Sequence, residues 1–197
     1  MHAIILALLI GVAGNLDNLG VGVAYGVRKI GIPFGSNLFI AAVAALGTVL
    51  FAYAGLGIGQ VLTPFMANAS GAAVIIAVGL WVLWPRRSQQ PAEASQDAID
   101  LVHHPEHADS DLSGDISITE SLALSVGLGM NAWAGGFGGG MVGLPPWLLA
   151  VATGLFSFVT LLAGERLGRR ALGSWLGPRA TIAAGVLLIL IGIKDLV

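Results

Sequence analysis

Apolar residues fall in six long stretches along this chain, at about 3–27, 34–62, 67–84, 119–142, 146–165 and 178–196. Each is near or above the roughly 20 residues that cross a bilayer as a helix. Between the third and fourth, residues 88–119 turn polar and acidic, rich in Ser and Asp, with Pro91 and Pro105. That stretch reads as a linker. The pattern predicts an all-α integral membrane protein with six transmembrane helices. Residues 1–85 form a first three-helix unit, 86–118 a connecting loop, and 119–197 a second three-helix unit. Composition agrees: 56% of the residues are hydrophobic and 10% charged, where soluble domains carry about 25% charged residues.

Only Met1 and His2 precede the first apolar run, so it is expected to be a retained helix and not a cleaved leader. The chain has no cysteine, which excludes a disulfide framework and a thiolate metal site. Its net charge of −2, without a basic patch, gives no reason to expect nucleic acid. Nothing in the pattern assigns catalytic residues, and the chain is expected not to be an enzyme.

The nine Lys and Arg orient the helices. Arg28 and Lys29 follow the first segment, Arg86 and Arg87 the third, and Arg166, Arg169, Arg170 and Arg179 lie between the fifth and sixth. All of these fall on one side of a six-span arrangement, with Lys194 alone on the other. Basic loops stay in the cytoplasm, so both termini are expected outside and the linker inside.

The chain also resembles itself at a spacing near 114. Leu16-Asp17-Asn18-Leu19-Gly20-Val21-Gly22-Val23 aligns with Met130-Asn131-Ala132-Trp133-Ala134-Gly135-Gly136-Phe137. Gly31-Ile32-Pro33 aligns with Gly143-Leu144-Pro145, and Ala54-Gly55 and Gly59 with Ala163-Gly164 and Gly168. Three helices per unit is an odd number, so the second copy enters the membrane from the opposite side. This inverted repeat is common in secondary transporters, whose sites lie near the midplane where the copies meet.

Asp17 is the only acidic residue well inside an apolar stretch. A charge at membrane depth costs roughly 2.5–3.5 kcal/mol on insertion scales and usually marks an ion path or a buried partner. Asn15, Asp17 and Asn18 put three oxygen-bearing side chains within four residues, which is ligand chemistry for a hard cation. The repeat adds Asn131 opposite Asp17. Carrying the Gly55–Gly164 register along the helices pairs Thr48 with Ser157. The candidate substrate-cation residues are therefore Asp17, Asn131, Asn15, Asn18, Thr48 and Ser157. The glycines of the fourth segment, Gly129 to Gly143, suit either close helix packing or a broken helix with free carbonyls.

The linker ends in a second metal-type pattern. Residues 109–120 match a calcium-binding EF-hand loop, which needs oxygens at positions 1, 3 and 5, Gly at 6, a carbonyl at 7 and Glu at 12. Here these are Asp109, Asp111, Ser113, Gly114, Asp115 and Glu120, with Ser117 contributing directly or through water and Ile116 as the apolar anchor. Calcium or another divalent cation is the expected occupant. His103, His104 and His107 lie upstream as a soft-metal option or a solvated run.

With these features together, the chain resembles the manganese efflux pump (MntP) family of bacterial inner-membrane proteins, and within it the sporulation membrane protein (YtaF-like) branch. The residues carrying the resemblance run from Leu16-Asp17-Asn18-Leu19-Gly20-Val21-Gly22-Val23 to Ala24-Tyr25-Gly26-Val27-Arg28-Lys29-Ile30, then Ile32-Pro33, with the Asp-rich loop before the fourth segment. The resemblance implies metal export with Asp17 as the aspartate of the first repeat. It also implies departures: the family's second-repeat aspartate falls at Asn131, and an acidic residue of its second helix falls near Thr48. One of three carboxylates is kept. The leading expectation is a divalent-cation exporter working by alternating access, with a divalent metal ion and membrane lipid as partners and a homodimer left open. The alternatives are a non-transporting membrane protein of developmental role, and a transporter of a small organic cation.

Overall fold

The computed structural model describes residues 2–83, 109 and 113–172. The sixth apolar segment, His103, His104, His107 and Asp111 lie outside the described residues. What is described is helical: α1 (His2–Ala13), α2 (Leu16–Arg28), α3 (Phe34–Val61), α4 (Pro64–Leu83), α5 (Ile118–Met141) and α6 (Pro146–Leu167), the last running into a π-helical turn at Gly168–Leu172.

The boundaries follow local chemistry. Pro64 and Pro146 open α4 and α6, where a missing N–H costs nothing. Lys29 ends α2 with φ 62°, and Gly143 follows α5 with φ 82°. Both are left-handed helix stops. Ser117 and Glu120 form a reciprocal capping box that starts α5.

Three of the described spans are long and apolar enough to cross a membrane: His2–Arg28, Phe34–Val61 and Pro146–Arg170, with Pro64–Ala77 a shorter apolar helix. Large apolar side chains point outward along them, including Leu46, Leu50, Phe65, Trp147, Val151 and Leu155, each more than half exposed. Bare apolar surface on this scale suits lipid and not water, so this is a membrane protein. The α5 helix is less apolar because it faces protein: it packs on α1, α3, α4 and α6. Its glycines permit that closeness. A Cβ on Gly140 would overlap the carbonyl of Ala52 in α3, just as one on Gly26 would overlap the carbonyl of Glu165 in α6. The fourth segment is thus one continuous helix, and its glycines are packing faces.

The interruption lies elsewhere. The first segment, expected as one helix, breaks at Gly14-Asn15 into α1 and α2. Asn15 has φ −125° and ψ 7°, and the chain resumes helical geometry at Leu16.

Two apolar clusters form the interior. One, called inner after the orientation expected from the basic residues, lies at the end carrying Arg28, Lys29, Arg166, Arg169 and Arg170; it joins Val21 and Tyr25 (α2), Ile40 (α3), Leu124 and Leu128 (α5) and Leu161 (α6), with Ile30, Ile32 and Ile116 from connections. The outer one joins Ala7, Ile10 and Ala13 (α1), Ala52 (α3), Ile75 (α4), and Leu144 and Leu149.

Candidate cation site at a helix break

Between the two clusters lies a layer of polar side chains. Along α1 and α2 the order is Ile10 and Ala13, then Asn15, Asp17 and Asn18, then Val21. Along α3 it is Ala52, Thr48, Ile40; along α6 it is Leu149, Ser157, Leu161. On α5, Asn131 follows Leu128 by one turn. Along α1–α2 and α6 the polar side chains thus stand between the two apolar clusters; Gly154 packs on Ala41 and Ala45 and Asn37 bonds Phe158, which sets Ser157 level with the start of α3 and leaves Thr48 further along that helix, and Asp17 and Asn131 are half-buried.

The helix break builds the layer. Asn15 donates through Nδ2 to the carbonyl of Gly11 at 2.7 Å, taking up an acceptor that the interruption frees. Its Oδ1 accepts from Asn18 Nδ2 at 3.2 Å. The same Asn18 amide donates to Ser157 Oγ on α6 at 3.1 Å. Asp17 stands in the first turn of α2, where the positive end of the helix dipole favours a carboxylate. Its Oδ1 accepts from the Asn18 backbone N–H at 3.0 Å. Its Oδ2 accepts from Asn131 Nδ2 on α5 at 2.7 Å. Two residues 114 apart, matched by the repeat, thus meet in a short charge-assisted hydrogen bond.

Five of the six sequence candidates, Asp17, Asn131, Asn15, Asn18 and Ser157, are linked in this way. Asn15, Asn18 and Ser157 are wholly buried. Thr48 is wholly buried too, but it lies against Gly136 and no hydrogen bond joins it to the others. Among the described residues, Asn18 Oδ1 and Thr48 Oγ1 have no hydrogen-bond partner. A buried acceptor without a donor costs about 1–3 kcal/mol, and a cation would relieve it. Among the described residues no three His, Cys, Asp or Glu gather to hold a metal ion. An ion here would be held by one carboxylate and neutral oxygens.

Sequence reasoning missed the break itself and Asn37. The break had a signal, since Gly-Asn is a turn dipeptide, but it lay inside an apolar run. Asn37 is buried on α3, donates to the Phe158 carbonyl at 3.1 Å, and leaves its Oδ1 without a partner among the described residues. It stands beside the Asn18–Ser157 contact on α6 and carried no spacing signal.

The 109–120 loop is partly formed. Both oxygens of the buried Asp109 carboxylate accept backbone N–H groups, from Ser113 and Gly114, each at 2.9 Å. Ser113 Oγ lies 3.4 Å from Asp109 Oδ1 and donates to the Asp115 carbonyl at 2.9 Å. Gly114 has φ +85°. Positions 1, 5 and 7 of the expected loop therefore converge. The Glu120 carboxylate accepts from the Ser117 N–H at 2.9 Å and hydroxyl at 2.8 Å.

Comparison with known proteins bears on the whole chain. Residues 99–196 match the family described as "Putative manganese efflux pump". "Probable sporulation protein YtaF" of Bacillus subtilis is 29% identical over 209 aligned positions, covering 96% of this chain and 97% of the relative. "Putative manganese efflux pump MntP" of Methanoregula boonei is 29% identical over 178, covering 90% and 92%. Its namesake in Syntrophotalea carbinolica is 40% identical over 75, covering 38% and 39%. No solved structure matches. The polar layer at Asp17, the apolar spans around it and these relatives lead to one conclusion: the chain belongs to the manganese efflux pump (MntP) family.

Proposed function

We propose that this protein exports a divalent cation, manganese or one like it, by alternating access around Asp17. The observation that carries the reading is the Asp17–Asn131 hydrogen bond. It joins a carboxylate at a helix break to a carboxamide on α5, between two apolar clusters. Discontinuous helices of this kind bind ions in secondary transporters. The arginine-bearing end is taken as cytoplasmic, with both termini outside.

The proposal includes six helices in two inverted repeats. What supports it is paired packing: Gly22 lies against Leu161 and Gly26 against Glu165, while Gly136 lies against Thr48 and Gly140 against Ala52. With Gly22 matched to Gly136, Thr48 corresponds to Leu161. The sequence register that paired Thr48 with Ser157 is then one helical turn out. Asn131 remains matched to Asp17, and the stops at Lys29 and Gly143 agree with that spacing.

In the described state Asn131 is a donor to Asp17. A cation arriving at Asp17 replaces that donor, and the Asn131 carboxamide turns its oxygen inward. Asn18 Oδ1 supplies a further neutral oxygen. Release follows when the outer cluster parts and the inner one stays closed. Calcium at 109–120, in a regulatory or structural role, belongs to the same proposal. Asp109, Ser113 and the Asp115 carbonyl would hold the ion, with Glu120 leaving Ser117 to complete the shell beside Asp111.

A second reading is a non-transporting membrane protein of sporulation-type role. The loss of two family carboxylates and the similarity to YtaF favour it. Metal flux into proteoliposomes, wild type against Asp17→Asn, separates the two.

A further inference from the structure

Residues 113–117 do more than lead into α5. Of these five, Ile116 alone is buried, and it is wholly so, within the inner cluster alongside Tyr25, Ile40, Leu124 and Leu128. The backbone around it is fixed to the first half of the chain. Gly31 N–H donates to the Gly114 carbonyl at 2.7 Å, and Ile116 N–H donates to the Gly31 carbonyl at 2.9 Å, forming a parallel bridge. Ser36 Oγ, at the start of α3, donates to the Ile116 carbonyl at 2.6 Å. One short segment therefore ties the α2–α3 connection and α3 to the first turn of α5.

We infer that residues 113–117 are a strap that holds the basic end shut, and that the inner cluster opens only when the strap lifts. The inference rests on the alternating-access reading of the Asp17 layer. Motion of α5 against the first half must break the Gly31 bridge, because Gly31 belongs to that half and the strap runs directly into α5. Both ends of the strap are stiff. Asp109 caps the turn at Ser113 and Gly114, and the Ser117–Glu120 capping box locks the entry to α5. Among the described residues, the buried side chain of Ile116 and three hydrogen bonds join it to the first half, and none of them is internal to a helix. The Ser36 and Ile116 contacts seal the same cluster that borders the layer at Asp17.

The native chain has no cysteine, so single cysteines report access cleanly. Leu124→Cys reads the inner cluster and Leu149→Cys the outer one; both leucines are wholly buried. Labelling by a hydrophilic maleimide is measured on the full chain in detergent. Ile116→Asp should raise the Leu124→Cys rate at least tenfold and leave Leu149→Cys unchanged. Ser36→Ala, which removes one hydrogen bond, should raise it about fivefold. If Ile116→Asp speeds both cysteines, the fold has loosened and Ser36→Ala decides: a rise confined to Leu124→Cys supports the strap. An unchanged Leu124→Cys rate in Ser36→Ala overturns it. The assay does not read flux, so strap-dependent access without metal transport would sink the transport reading alone.

Discussion

Asn131→Asp is the most revealing single change at the polar layer. It replaces the amide that now donates to Asp17 with a second carboxylate at the same position, 2.7 Å away. Two unit charges at that separation repel by about 6 kcal/mol at an effective dielectric constant of about 20. The ion-free variant escapes this by holding one proton between the pair, as facing carboxylates do. A divalent ion about 4 Å from the new carboxylate gains about 8 kcal/mol on the same scale. The difference, about 2 kcal/mol, is about thirtyfold in affinity. Binding must also expel the shared proton. Calorimetric titration with manganese in two buffers of different ionisation heat measures both quantities. The expected result at pH 7 is about thirtyfold tighter binding, with close to one proton released per ion. Unchanged affinity with no proton release would place Asn131 outside the ion's shell and refute the reasoning.

Other outcomes follow from the packing. Gly140→Val forces side-chain atoms into the Ala52 backbone and should cost at least the 1–3 kcal/mol typical of overpacking, read as a lower unfolding temperature in detergent; an unshifted transition would contradict the α3–α5 contact. Glu120→Gln keeps an acceptor for the Ser117 N–H and should change stability by less than about 0.5 kcal/mol, while it should reduce calcium binding by calorimetry. If wild type binds no calcium at millimolar concentration, the loop is a cap and strap only. Cysteines placed at Ser95 and Ala69 should label from opposite sides of the membrane, Ser95 from the cytoplasm; labelling of Ser95 from outside alone would invert the orientation.

The meeting of Asp17 and Asn131 was legible because a charge among apolar residues has few neutral readings and the repeat named its counterpart. The Thr48–Ser157 pairing was not. Gly55 and Gly59, like Gly164 and Gly168, recur at four-residue spacing, so matching them leaves the register open by one helical turn; the contacts of Gly22 with Leu161 and of Gly136 with Thr48 favour the other register. The break at Gly14-Asn15 hid inside an apolar run, because hydropathy measures length in lipid and is blind to backbone hydrogen bonding. The glycines of α5 suited packing or a break, and packing is what they do. In α5 the close neighbours that glycine admits keep the helix whole.

The central claim is that Asp17 carries the ion. Manganese uptake into proteoliposomes holding wild type or Asp17→Asn tests it most directly, since the substitution keeps the size and one acceptor oxygen while removing the charge. The account predicts saturable flux in wild type and background flux in Asp17→Asn, with both proteins folded by circular dichroism and equally reconstituted. Undiminished flux in Asp17→Asn would contradict it.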